Sequence, residues 1–141
     1  MYKRQFQRLL VVQALYELTI NENRSQTPIN EIFANIVEHT DYKKKISNTN
    51  LKFAEKIYVG VMENIDEINK ILKVSINKKV KINTMDKLLI SIFRSAIYEI
   101  LFSDNVIKKI VISEYLLIAN RFFGNKETAL LNGVLDNLQY S

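Results

Sequence analysis

Lys3, Arg4 and Arg8 precede every acidic residue of the chain, the first being Glu17. Arg4 and Arg8 are four positions apart, so a helix would carry both on one face. An arginine presents a planar fork of donors that matches phosphate oxygens, and cations at a helix start oppose the macrodipole. Tyr16, two turns beyond Arg8, offers a surface on which an unpaired base would stack. Together they form a cationic edge suited to single-stranded nucleic acid. The plainer reading is an ordinary polar helix start with Tyr16 in the core.

Other constellations point to structure. Glu63, Asp66 and Glu67 resemble paired carboxylates, yet Lys56, Lys70 and Lys73 flank them at distances suiting exposed helix pairs, which marks a solvated face. His39 is the one histidine and cysteine is absent, so thiolate zinc sites, disulfides and most imidazole schemes are excluded. No Walker-type loop, GxGxxG or nucleophile elbow occurs, so the residues indicate no enzyme, cofactor or metal. Arg94, Glu99 and Glu114 interrupt apolar segments; they read as a hydrogen-bonded network locking the central helices, with partner docking as the alternative.

The elements that must position these residues are helical. With 141 residues, 48% of them hydrophobic and 25% charged, the chain has the composition of one ordinary globular domain. Three glycines and one proline cannot supply the turns of an all-β fold. The class is therefore all-α, with six to seven helices in two small sub-bundles, about 1–74 and 84–141. Apolar periodicity predicts helices over 3–20, from Thr27-Pro28 through Val37, over 48–74, 85–102, 106–123 and 126–138. Pro28 suits a first helical position and Thr27 its cap, and Thr84 caps the fourth helix. Residues 39–47, with Lys43-Lys44-Lys45, read as a loop and 75–83 as a linker. Gly60 inside the third helix suggests a close helix crossing, and Gly124 a helix stop. The segment 106–123 reads as buried nearly all round, so a charge at Ile112 or Leu117 is expected to unfold the C-terminal half.

Lysine and arginine number 20 against 15 acidic residues, a formal net charge of +5, which favours an acidic partner. No stretch approaches the ~20 apolar residues of a membrane span. The start of the chain is superficially similar to a signal peptide, but Gln13 and Glu17 cut its apolar run short and no small-residue cleavage pattern follows. A cytoplasmic protein is expected.

Four elements in order carry a family likeness: Arg4 and Arg8 followed by Val12-Gln13-Ala14-Leu15-Tyr16; Phe93-Arg94-Ser95-Ala96-Ile97-Tyr98-Glu99-Ile100; Val106 through Ile112-Ser113-Glu114 with Ala119 and Phe122; and Leu131-Asn132-Gly133-Val134-Leu135-Asp136. In these the chain resembles the bacterial transcription antitermination factors of the NusB family. Residues 21–81 match only in helical pattern. The likeness implies a non-enzymatic fold of two helical bundles that binds boxA-type single-stranded RNA. It further implies work with the small-subunit ribosomal protein acting as NusE, in the RNA polymerase antitermination complex that supports ribosomal RNA transcription. It assigns RNA contact to Lys3, Arg4, Arg8, Tyr16 and Phe122. Gln5 and Phe6 stand where arginine is common, Ile107 replaces a proline, Ser113 an asparagine and Leu130 a phenylalanine. The rival reading is a helical protein–protein scaffold, a homodimer included, with no RNA role.

Overall fold

Periodicity dictates which face of each segment leaves water, and the computed structural model, which describes residues 2–20, 29–38, 50–76 and 84–139, shows the result. Seven helices and no strand occur among the described residues: α1 (Tyr2–Ile20), α2 (Ile29–Glu38), α3 (Lys52–Glu63), α4 (Ile65–Ile76), α5 (Lys87–Phe102), α6 (Lys108–Phe122) and α7 (Asn125–Asp136). The all-α expectation holds. Thr27, Pro28, His39 and the run Lys43-Lys44-Lys45 lie outside the described residues, as do the side chains of Lys3 and Val37.

Helix α5 is the axis of the molecule. Every residue from Leu89 to Ile100 except Arg94 is buried, and the helix packs against α1, α3, α4, α6 and α7. One apolar cluster draws side chains from all seven helices, among them Leu10, Phe33, Ile57, Ile68, Phe93, Ile118 and Leu135. Each such side chain contributes about 1.5–3 kcal/mol when fully buried. Gly60 makes room for one side chain of α5: a Cβ built there would lie 2.1 Å from Cζ of Tyr98, so a larger residue would have to displace that ring.

Several boundaries differ from the periodic reading. The single helix expected over 48–74 is broken at Asn64. Its backbone leaves helical geometry at φ −117° and ψ 22°, its N–H is shared between the Gly60 and Val61 carbonyls at 3.1 and 3.2 Å, and its side-chain amide donates to the Gly60 carbonyl at 2.8 Å. An asparagine competes for backbone partners in this way and ends helices. The cap of α5 is Asp86 rather than Thr84: its carboxylate accepts from the Leu88 N–H at 2.7 Å and that of Leu89 at 3.4 Å. Gly124 leads into α7 with φ −91°, and Phe123 is the residue that closes α6.

Helix α6 corrects a further expectation. Ile112 is buried, but Leu117 is 52% exposed, together with Ile107 and Ile110. These positions share the outer stripe of the helix, so a charge at Leu117 meets water rather than the core. Only the Ile112 half of that expectation fits the structure.

Candidate nucleic-acid interface

The N-terminal half of α1 lies across the start of α3, and one side chain ties them. The first N–H groups of a helix lack intrahelical partners, and Leu51, at the cap of α3, supplies no side-chain bond. The buried Gln7 does so from the other helix, its Oε1 accepting from the Ala54 N–H at 2.9 Å. That bond sets Phe53, the preceding residue, beside the arginines of α1. The Phe53 ring centroid is 4.6 Å from the Arg4 guanidinium and 5.1 Å from that of Arg8.

The two arginines share a helix face, as their spacing requires, but not an environment. Arg4 is exposed. Arg8 is 6% exposed, and its fork closes on the buried Glu99 of α5: Nε donates to Oε2 at 2.7 Å and Nη2 to Oε1 at 3.0 Å. Arg8, expected from the family likeness to contact RNA, thus has its fork engaged inside the protein. An ionic group taken from water needs a partner, and the carboxylate that answers it sits ninety-one residues away. The network continues inward, with Tyr115 Oη donating to Glu99 Oε2 at 2.5 Å and Ser95 Oγ lying 2.6 Å from Tyr115 Oη.

Titration follows from this burial. Desolvation alone would lower the Arg8 guanidinium, but the hydrogen bond and charge of Glu99 outweigh it and hold it above its ordinary value. Burial, reinforced by the Glu99 charge, pushes the Tyr115 phenol well above its ordinary range. Arg94 is a separate case. It donates from Nε to Asn69 Oδ1 at 2.9 Å and from Nη1 toward Thr19 Oγ1 at 3.5 Å, and burial lowers it. The expected polar network thus exists, but it joins Glu99 to Arg8 rather than to Arg94, and the half-buried Glu114 adds to it through its charge on Arg8.

Arg4, Arg8 and Phe53 line one cleft of about 370 Å³, closed by Lys56 and Ile57 of α3 and by the turn from α5 into α6. Tyr16 and Phe122 do not line it. Tyr16 is half-buried, about 12 Å beyond Arg8 along α1 at 1.5 Å per residue. Phe122 is 43% exposed at the far end of α6. Of the four sequence-named residues whose side chains are described, Arg4 and Arg8 come together, and Tyr16 and Phe122 lie elsewhere. Phe53 and Lys56 were missed, and the visible signal was an aromatic lying off the buried stripe of its helix. The carboxylates Glu63, Asp66 and Glu67 are exposed, as a solvated face predicts.

Chemically the cleft offers one free guanidinium, one ammonium and an aromatic surface, a set that binds anions and stacks rings. Among the described residues no group of three histidines, cysteines or carboxylates is placed to hold a metal, and no helix is long and apolar enough to cross a membrane.

Comparison with known proteins agrees with this architecture. The chain is 28% identical to the transcription antitermination protein NusB of Clostridium novyi over 93% of both chains. It is 30% identical to that of Rickettsia bellii over 98% of this chain and 90% of the relative. The solved structure of T. maritima NusB superposes with a TM-score of 0.71 at 27% identity, covering 94% of this chain and 87% of that one. A chain from the crystal structure of antitermination factors NusB and NusE in complex with dsRNA shares the fold, with a TM-score of 0.76 at 21% identity over 96% and 95% of the two chains. The NusB family model matches residues 5–140, and the chain belongs to the NusB family.

Proposed function

We propose that this protein is a cytoplasmic transcription antitermination factor that binds boxA-type single-stranded RNA together with the ribosomal protein NusE, and that it breaks no covalent bond itself. The observation that carries the RNA reading is Arg4: an exposed guanidinium beside an aromatic ring, in one cleft with Lys56, in a chain of this family. Lys3 and Arg4 hold phosphates, and Lys56 extends the charge. Tyr16 and Phe122 are the stacking surfaces toward which the strand runs. Arg8 acts from beneath by fixing α1 and Phe53 to the core. The exposed apolar edge of Ile107, Ile110 and Leu117 supports the protein-partner half of this reading.

The test is fluorescence anisotropy of a short boxA-like RNA, with and without the ribosomal protein, across a salt series. Lys3, Arg4 and Lys56 neutralising ~3 phosphates give a log–log slope near about −2, at roughly −0.7 per phosphate. Arg4→Ala weakens binding and flattens the slope by about 0.7. An unchanged affinity and slope removes Arg4 from the interface. If no RNA binds even with the partner present, the scaffold reading replaces this one.

A further inference from the structure

The cleft holds more than phosphate chemistry requires. Besides its cations it has an aromatic side and apolar walls, Phe53 and Ile57 from α3 with Ile110 and Val111 from α6. Its volume, about 370 Å³, lies at the small end of the range for ligand pockets. A bare phosphate gains nothing from such walls, whereas an unstacked base gains on every side. The turn that closes the cleft adds Asp104, an exposed carboxylate next to Asn105, whose φ of 59° bends the chain there.

Resting on the RNA reading above, we infer that this cleft is a slot for one extruded base of the bound strand, and that Asp104 selects a base carrying an exocyclic amino group. A carboxylate only accepts hydrogen bonds. Cytosine, adenine and guanine offer it amino donors, as in the pairing of acidic side chains with cytosine N4. Uracil has no exocyclic amino group, and its one edge donor, the ring N3–H, is flanked on both sides by carbonyl oxygens that the carboxylate repels. The base stacks on Phe53 in the place the Arg4 guanidinium now holds, 4.6 Å from the ring centroid. Arg4, freed on its flexible stem, moves to the adjoining phosphate opposite Lys56. Charge permits this: Arg8 is already neutralised by Glu99, which leaves Arg4 and Lys56 against Asp104.

Short boxA-like RNAs carrying 2-aminopurine at successive positions test the slot, with the ribosomal protein present. One position is expected to lose fluorescence on binding. Phe53→Leu, which keeps the apolar volume, abolishes that loss and weakens binding about ten-fold, within the range measured for base–aromatic stacking. Uracil at that position weakens wild-type binding by about ten-fold but leaves Asp104→Asn indifferent, as expected for one specific base contact. Asp104 is exposed, so this second variant tests the slot even where thermal melting shows Phe53→Leu unfolded. Binding and quenching by Phe53→Leu equal to wild type overturn the slot, while the salt slope of the wild type still carries the RNA reading. Equal wild-type affinity for uracil overturns the selection by Asp104. Absence of any RNA binding by the wild type overturns slot and reading together.

Discussion

Arg4 and Arg8 stand one turn apart on α1 and both approach Phe53, at 4.6 and 5.1 Å, yet their surroundings are opposite. Arg8 spends its fork on Glu99 inside the protein; Arg4 keeps its own in water. The inner arginine is bound to a carboxylate that is itself held by Tyr115, and so it ties α1 to α5 and α6. The outer one is exposed beside an aromatic ring. A shared helix face therefore does not mean a shared role. What decides is the element lying across from each residue.

The inner network offers the sharpest way to break this comparison. Glu99→Ala leaves a buried guanidinium without its partner, and urea denaturation is expected to show a loss of about 3–5 kcal/mol. Replacing both members, Arg8→Met with Glu99→Leu, removes charge and carboxylate together and costs far less, because no buried ion remains unpaired. If Glu99→Ala costs less than about 1 kcal/mol, the Arg8 side chain escapes to solvent, and the distinction between inner and outer arginine fails.

That same network shows where reading the sequence stops. Helices and their buried stripes are legible because burial is periodic: Ile57, Val61, Ile68 and Leu72 stand on the expected stripe and are all buried. Glu99 was visible as a charge inside an apolar run, and Arg8 as a cation at a helix start. Nothing local says that they meet, because the ion pair spans ninety-one residues and depends on how α1 crosses α5. The break at Asn64 was hidden by unbroken apolar spacing, since it lies in the backbone angles of one residue and leaves the buried stripe on either side in place. Leu117 was misread for a related reason. Its periodic neighbours are buried, but Leu117 itself stands on the outer stripe of α6, 52% exposed. In the cleft, Phe53 owes its place to a bond from Gln7, and such a contact leaves no trace in spacing.

A smaller effect separates the Tyr115 part of the network from the rest. The phenol is raised in the folded protein by burial and by the charge of Glu99. A raised phenol favours the protonated form on folding, so its contribution is fully present below the unfolded value, about pH 10. It is lost as pH rises from there through the folded value. Tyr115→Phe removes the bonds to Glu99 and Ser95, costing about 1–3 kcal/mol at neutral pH. The difference between wild-type and variant stability should then shrink as pH rises above about 10. A difference that stays constant to high pH means that the phenol titrates as an ordinary tyrosine and is not part of the charged network.

Arg4 is expected to give the smallest change in stability, and that smallness is informative. Its removal loses a cation–ring contact worth about 0.5–1 kcal/mol at an exposed site. It also relieves a positive charge on a first turn that carries no acidic residue, a repulsion of about 0.3–1 kcal/mol. The two oppose each other, so Arg4→Ala should shift urea stability by less than about 0.5 kcal/mol, the usual range for a surface substitution. Combining it with Phe53→Leu in a double-mutant cycle isolates the ring contact from the helix-end charge. A loss comparable with that of Glu99→Ala would make Arg4 a second structural arginine, with its guanidinium committed to the fold and none left for a phosphate. Near-neutral stability with weakened RNA binding separates the two arginines in function as the structure separates them in space.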